Sequence, residues 1–253
     1  MTDLLQLRRD EGVLTLLLNN PDGKNALTEA MIERMIDVLE DSLNDQAVRI
    51  VVLRGAGKDF CTGFDLDEFY ALASGGPSEH QSRAERLARV FRLLHGALKP
   101  TVAVVQGRAL GVGASLAITC DVVVASTTAS FAFPEVTFGF VPAFASALLR
   151  RHMSDKQAFE LVATGRTIRA EEARLYGLVS RVVPEEGFEA VTGSTLRHLG
   201  CCAPETFATI KQLFTDLEGK SFEDALALST ALNARAHSTQ AFREAAEQYR
   251  SMA

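Results

Sequence analysis

The sequence predicts an α/β fold with a helical tail, and three observations carry that prediction. Short, almost wholly apolar runs recur between stretches with helical spacing as far as about residue 190. Beyond that point only helix-period stretches remain. Glycine-containing turns follow two of the apolar runs directly, as expected where a strand hands over to a helix. Alternation of this kind implies βαβ units around largely parallel sheets. The expected organisation is an α/β core over residues 1–190. A helical region over 191–253 is too small to bury much core alone, so it should pack on that core or on a neighbouring subunit.

The elements justify this in order. Val13-Leu14-Thr15-Leu16-Leu17-Leu18 reads as a strand buried on both faces. Asn19-Asn20-Pro21-Asp22-Gly23 is a turn cluster. Thr28 is placed to cap a helix whose Met31, Met35, Val38, Leu39 and Ser42 share one face. A second strand spans residues 49–53, followed by the glycine-bearing stretch GAGKDFCTGFDLDEF. Residues 74–78, SGGPS, read as a flexible loop, and residues 83–98 as a helix stopped by Lys99-Pro100. A strand over 101–105 then runs into a turn with Gly107, Gly111 and Gly113, which opens a helix. Further strands are expected at 122–125, 130–133 and 178–183, with helices at 143–153, 155–163 and 170–176. The tail should hold helices at 204–217, from Ser221 onward, and at 239–252.

Composition excludes several classes. A formal charge of −6 argues against nucleic acid as the main partner. No apolar run approaches membrane-spanning length, and the first residues lack the order of a secretory signal. Cys61, Cys120, Cys201 and Cys202 show no metal-ligand spacing and read as reduced thiols of a cytoplasmic protein; no metal site is expected.

The two glycine turns suggest a chemistry. If Cys61-Thr62-Gly63-Phe64-Asp65 and Leu110-Gly111-Val112-Gly113-Ala114 face one spot, the backbone N–H groups of Phe64 and Val112 converge on one carbonyl oxygen. Such a pair stabilises an enolate without any ionisable side chain. GVGASLA is neither a dinucleotide fingerprint nor a P-loop.

Five ordered stretches carry a resemblance: NPDGKNALT (20–28), VVLRGAGKDFCTGFDLDEF (51–69), KPTVAVVQGRALGVGASLAITCD (99–121), FAFPEVTFGFVPA (131–143) and ARLYGLVSRVVP (173–184). Together the chain resembles the enoyl-CoA hydratase/isomerase (crotonase) family over essentially its whole length. The resemblance implies a spiral of ββα units with a C-terminal helical region, and a homotrimer or dimer of trimers. It implies an acyl-CoA thioester as substrate, with coenzyme A belonging to the substrate and no separate cofactor. It places the oxyanion hole at the N–H groups of Phe64 and Val112, and coenzyme A contacts at Lys24, Ala26, Leu27, Asp65, Leu66 and Gly111. It also makes Glu135, in FPEV, a catalytic carboxylate.

One departure shapes the expected reaction. Hydration in this family usually uses two glutamates, and the first of them matches Ser115 here. A serine hydroxyl can hold water but is a poor general base. A lone Glu135 still suffices to move a double bond from position 3 to position 2 of an enoyl thioester. The dienoyl branch needs an aspartate where Ala143 stands, and is set aside. The alternatives are hydration with Ser115 assisting water, decarboxylation of a malonyl-type thioester, or a homologue that binds acyl-CoA without catalysis. A nucleophilic Ser115 would need a base, and no histidine stands in a matching motif.

Overall fold

The structure is a computed structural model that describes residues 4–72 and 74–252. The chain divides into two compact units, Met1–Cys201 and Cys202–Ala253. In the first unit, β1 (Leu5–Asp10) and β2 (Val13–Leu18) form an antiparallel hairpin. Its turn is Glu11-Gly12, both at positive φ. That pair of conformations matches the twist of two-residue hairpins. β1 was not expected, because its outer half alternates too weakly to stand out from a charged N-terminus.

After β2 the chain forms α1 (Glu29–Asn44), capped by Thr28, whose hydroxyl accepts the Met31 N–H at 3.2 Å. The five residues assigned to its inner face are all buried. β3 (Ile50–Gly55) and a short helix α2 (Leu66–Leu72) follow. α3 (Pro77–His95) begins earlier than the expected residue 83, because Pro77 sits at its first turn behind Gly76. Only the first part of the SGGPS stretch is therefore loop. β4 (Thr101–Val105), the three-residue β5 (Arg108–Leu110) and α4 (Val112–Thr119) come next. β6 (Val122–Ser126) and β7 (Ser130–Ala132) lead to a 3-10 turn over Pro134–Phe138.

α5 (Ala143–Leu149) stops short of the expected 153, α6 (Asp155–Thr164) starts on a Ser154 capping box, and the two-residue β8 (Ile168–Arg169) precedes α7 (Ala170–Leu175). The strand expected at 178–183 is confined to β9 (Arg181–Val183), because Gly177 at positive φ still turns the chain out of α7. α8 (Phe188–Gly200) ends the unit.

The larger sheet has the order β1-β2-β3-β4-β6-β9, parallel from β2 onward. Its central strands are buried on both faces, which is why they read as unbroken apolar runs. Ile50, Val52, Val102, Val104 and Val124 pack towards α8, while Val51, Leu53, Ala103, Val105 and Ala125 join α1, α3 and α4 in the main core. The smaller sheet, β5-β7-β8, lies at the turns that build the site. Successive strand–strand–helix passes give the ββα spiral that the sequence predicts.

The second unit holds α9 (Pro204–Leu217), α10 (Phe222–Ala236) and α11 (Gln240–Met252). Neither α9 nor α10 has a buried residue, and Phe214, Phe222, Leu226 and Phe242 are exposed. Among the described residues no helix is long and apolar enough to cross a membrane.

Candidate active site

The first half of the site is a kink. Thr62 N donates to Lys24 O and Asp65 N to Leu27 O, so both face the same neighbouring segment although they are three residues apart. In a regular strand, residues separated by an odd number point to opposite sides. Gly63, at φ 107°, supplies the break. Phe64 N–H, between them, is turned away from that segment and has no partner among the described residues.

The second half is a helix start. Gly111 holds φ 54° and ψ −121°, a conformation closed to side chains, and Val112 is the first residue of α4. Gly111 N donates to Ala132 O and Ser115 N to Gly111 O, which leaves the Val112 N–H unpaired among the described residues. α4 is wholly buried. A Cβ on Gly113 would run into Cys61 O and lie 2.8 Å from Cys61 Sγ, so the two turns meet without room for a methyl group. Cys61 is itself buried, and burial pushes its thiol up to about 12, so it packs rather than reacts.

Phe64, Val112, Ser115 and Glu135 line one cavity of about 500 Å³. Glu135 enters from the Pro134–Phe138 turn, whose end is fixed by Phe140 N donating to Glu135 O at 3.0 Å. A Cβ on Gly111 would stand only 3.2 Å from Glu135 Oε1, so the carboxyl lies against the Gly111 turn. Its Oε2 is buried without a hydrogen-bond partner among the described residues, and burial raises the carboxyl above the usual glutamate range. An orphaned carboxylate oxygen beside two unpaired N–H groups is arranged for proton transfer at a carbon next to a held carbonyl.

Ser115 is buried, and its hydroxyl has no hydrogen-bond partner among the described residues. His80 also lines the cavity, but its Nε2 lies 2.8 Å from Leu72 O, and among the described residues no histidine bonds Ser115. The remaining walls are mostly apolar and aromatic, Leu87, Phe91, Phe138 and Phe144 among them, and they include Arg83.

Of the residues assigned to coenzyme A, all but Gly111, which caps α4, fall along one edge beside Phe64. Lys24 and Asn25 both hold left-handed backbone, at φ 57° and 56°. Leu27 pairs with Gly63 and Asp65 through its N–H and carbonyl. Asp65 Oδ1 accepts from Asp67 N and Glu68 N at the start of α2, and Leu66 is exposed there. The residue that holds this edge was missed. Asn25 is fully buried, and its Nδ2 donates to Ala56 O and Asp59 O, both at 2.8 Å, while its Oδ1 accepts from Asn20 N. A polar residue in the NPDGKNALT stretch, just past the turn cluster, was its only signal. Among the described residues no group of three or more His, Cys, Asp or Glu side chains suits a metal ion.

The model of one protein family, described as enoyl-CoA hydratase/isomerase, matches residues 8–251. A Thermus thermophilus protein with a provisional enoyl-CoA hydratase name is 34% identical over 92% of this chain and 92% of its own length. The 2,3-dehydroadipyl-CoA hydratase of Escherichia coli is 36% identical over 74% of this chain and 71% of its own. A crystal structure of an enoyl-CoA hydratase from Mycobacterium smegmatis superposes with a TM-score of 0.92 at 30% identity, covering 99% of this chain and 97% of that one.

Proposed function

The chain belongs to the enoyl-CoA hydratase/isomerase family, and from that premise we propose that it converts 3-enoyl-CoA thioesters to 2-enoyl-CoA with Glu135 as the single base and acid. The observation that carries this reading is the orphaned, burial-raised Glu135 carboxyl beside the oxyanion turn, with Ser115 at the place of a second carboxylate. The thioester carbonyl accepts hydrogen bonds from Phe64 N–H and Val112 N–H. Glu135 takes the proton from C2, and the electron pair moves into a dienolate whose oxygen those two groups stabilise. The same carboxyl returns the proton at C4, so no group is gained or lost. Lys24, Ala26, Leu27, Asp65, Leu66 and Gly111 contact coenzyme A, and no further cofactor enters.

A second reading, hydration of a 2-enoyl thioester, is favoured by one feature. The Ser115 hydroxyl lines the cavity with no hydrogen-bond partner among the described residues and offers a place for water, and the relatives described above carry hydratase names. Incubation with a trans-3-enoyl-CoA and, separately, a trans-2-enoyl-CoA decides between the two. Gain of conjugated-thioester absorbance without later hydration supports isomerisation. Loss of that absorbance from the 2-enoyl substrate favours hydration. We also propose a homotrimer or dimer of trimers, supported by the exposed Phe214, Phe222, Leu226 and Phe242 on helices with little burial of their own. Light scattering on the eluted protein tests the mass.

A further inference from the structure

One wall of the cavity carries a charge that the isomerisation does not use. Arg83 lies on α3 in the register of Leu87, Val90, Phe91 and Leu94, the buried stripe of that helix. Its side chain is 8% exposed and lines the cavity with Glu135. Its guanidinium carbon stands 4.7 Å from the ring centroid of Phe64, the residue whose N–H forms half of the oxyanion hole.

Two carboxylates approach it. Nε lies 2.6 Å from Glu29 Oε1, and Nη2 lies 3.7 Å from Glu68 Oε2. Nε and Nη2 are buried against the two acids, which leaves Nη1 as the donor with no hydrogen-bond partner among the described residues. Both acids serve other donors. Glu29 Oε2 accepts from Arg86 Nε and Nη2 at 3.0 and 2.7 Å, and Glu68 Oε2 accepts the Glu29 N–H at 2.8 Å. A guanidinium kept only to pin α3 to α1 needs no further donor. A desolvated N–H left without an acceptor is costly, and beside a ligand cavity the Nη1 donors match an acceptor that arrives with the substrate.

We propose that Arg83 hydrogen-bonds a carboxylate at the tail of the acyl chain, so that the substrate class is short ω-carboxyacyl thioesters. This rests on the reading of the cavity as the acyl site of a coenzyme A thioester enzyme. The contact to the Phe64 ring keeps the tail short, since the guanidinium sits close to the residue that holds the thioester oxygen. Leu87 and Phe91 on the same helix line the path for the methylenes between. Arg83 and Arg86 are matched in charge by Glu29 and Glu68, so the attraction comes from hydrogen bonds to a desolvated guanidinium rather than from a net positive field.

The test compares two saturated, unreactive thioesters of equal length, adipoyl-CoA and hexanoyl-CoA, by calorimetry on the wild-type protein and on Arg83→Met and Arg83→Lys. The expected result is adipoyl-CoA binding tighter by roughly ten-fold or more in the wild type. The ratio should fall to about one in Arg83→Met and to an intermediate value in Arg83→Lys. A merely structural Arg83 would weaken both ligands in the same proportion and leave the ratio unchanged, which overturns the proposal. Equal affinities in the wild type overturn it without needing any variant to fold. If both ligands bind alike, the acyl-CoA reading of the cavity stands and only the Arg83 assignment fails. If neither binds, both fall.

Discussion

The cavity has two walls built by different means. One is backbone: the kink at Gly63-Phe64 and the start of α4 at Gly111-Val112, where everything from Val112 to Thr119 is buried. The other is side chain: α3 and the aromatic run after Glu135, where Phe138 is 65% and Phe140 52% exposed. The difference teaches where this fold keeps precision and where it keeps freedom. On the proposed reading two N–H groups hold a developing oxyanion at hydrogen-bond distance, and the turns that carry them meet where a Cβ on Gly113 finds no room. On the same reading the acyl chain is selected by side chains that can change without moving the backbone.

Glu135 stands where the walls meet, and its loss should be the largest effect. Glu135→Gln is expected to lower turnover by about 10²- to 10⁴-fold, while acyl-CoA affinity measured by calorimetry stays within a few-fold. Because burial raises this carboxyl, the acid limb of kcat/KM should lie above the ordinary glutamate range. The same shift has a stability consequence. The folded protein binds this proton more tightly than the unfolded chain does, so the contribution of Glu135 is lost as pH rises through its raised value. Glu135→Gln should therefore raise the melting temperature at neutral pH and leave it unchanged in acid. A melting temperature that falls at neutral pH would mean that the carboxylate has a partner the cavity does not display.

Gly113→Ala tests the backbone wall. The added Cβ meets Cys61 O and Sγ, so the expected cost is about 1–3 kcal/mol of stability. Displacement of the Val112 N–H should cost turnover of the order of 10²-fold. The contrast is with Phe140→Ala, on the exposed side, which should alter chain-length preference and leave the melting temperature within a few degrees. If the two substitutions cost the same, the walls are not different in kind.

The same contrast explains what could be read in the sequence. The backbone wall was legible because glycine leaves a mark: Gly63, Gly111 and Gly113 stand out by type, and strands β2, β4 and β6 by unbroken apolar runs. The side-chain wall was not. Arg83 reads as one more charge at the start of a helix, since nothing in its type tells that the α3 stripe turns it inward. Asn25 reads as a turn residue, although it is the fully buried bolt between the Asn20 turn and the Ala56–Asp59 backbone. β1, β5 and β8 escaped notice for another reason. Strands of two or three residues, or half-exposed ones at an edge, carry too little periodicity, and only pairing with a neighbour defines them.

Val112→Gly is a smaller perturbation and a sharper one. The donor is the N–H, which glycine keeps, whereas the valine side chain only narrows the cavity it lines. Turnover of a short substrate should change by no more than a few-fold, with KM for longer or branched acyl chains falling. A loss comparable to that of Gly113→Ala would show that the side chain, and not the buried helix behind it, fixes the position of the donor.

Ser115→Ala should do least if Glu135 acts alone. The hydroxyl contributes no hydrogen bond to the fold among the described residues, so its removal costs little stability. Isomerisation of a 3-enoyl-CoA should stay within about three-fold of the wild type, because neither the C2 nor the C4 proton passes through it. Hydration of a 2-enoyl-CoA is another matter, since a water held by Ser115 would be lost and the rate should drop by an order of magnitude or more. The pair of rates on one variant thus separates two chemistries that share the oxyanion hole and Glu135. A substitution that leaves isomerisation intact and removes hydration assigns Ser115 to water. One that leaves both intact places it among the small residues that let α4 pack.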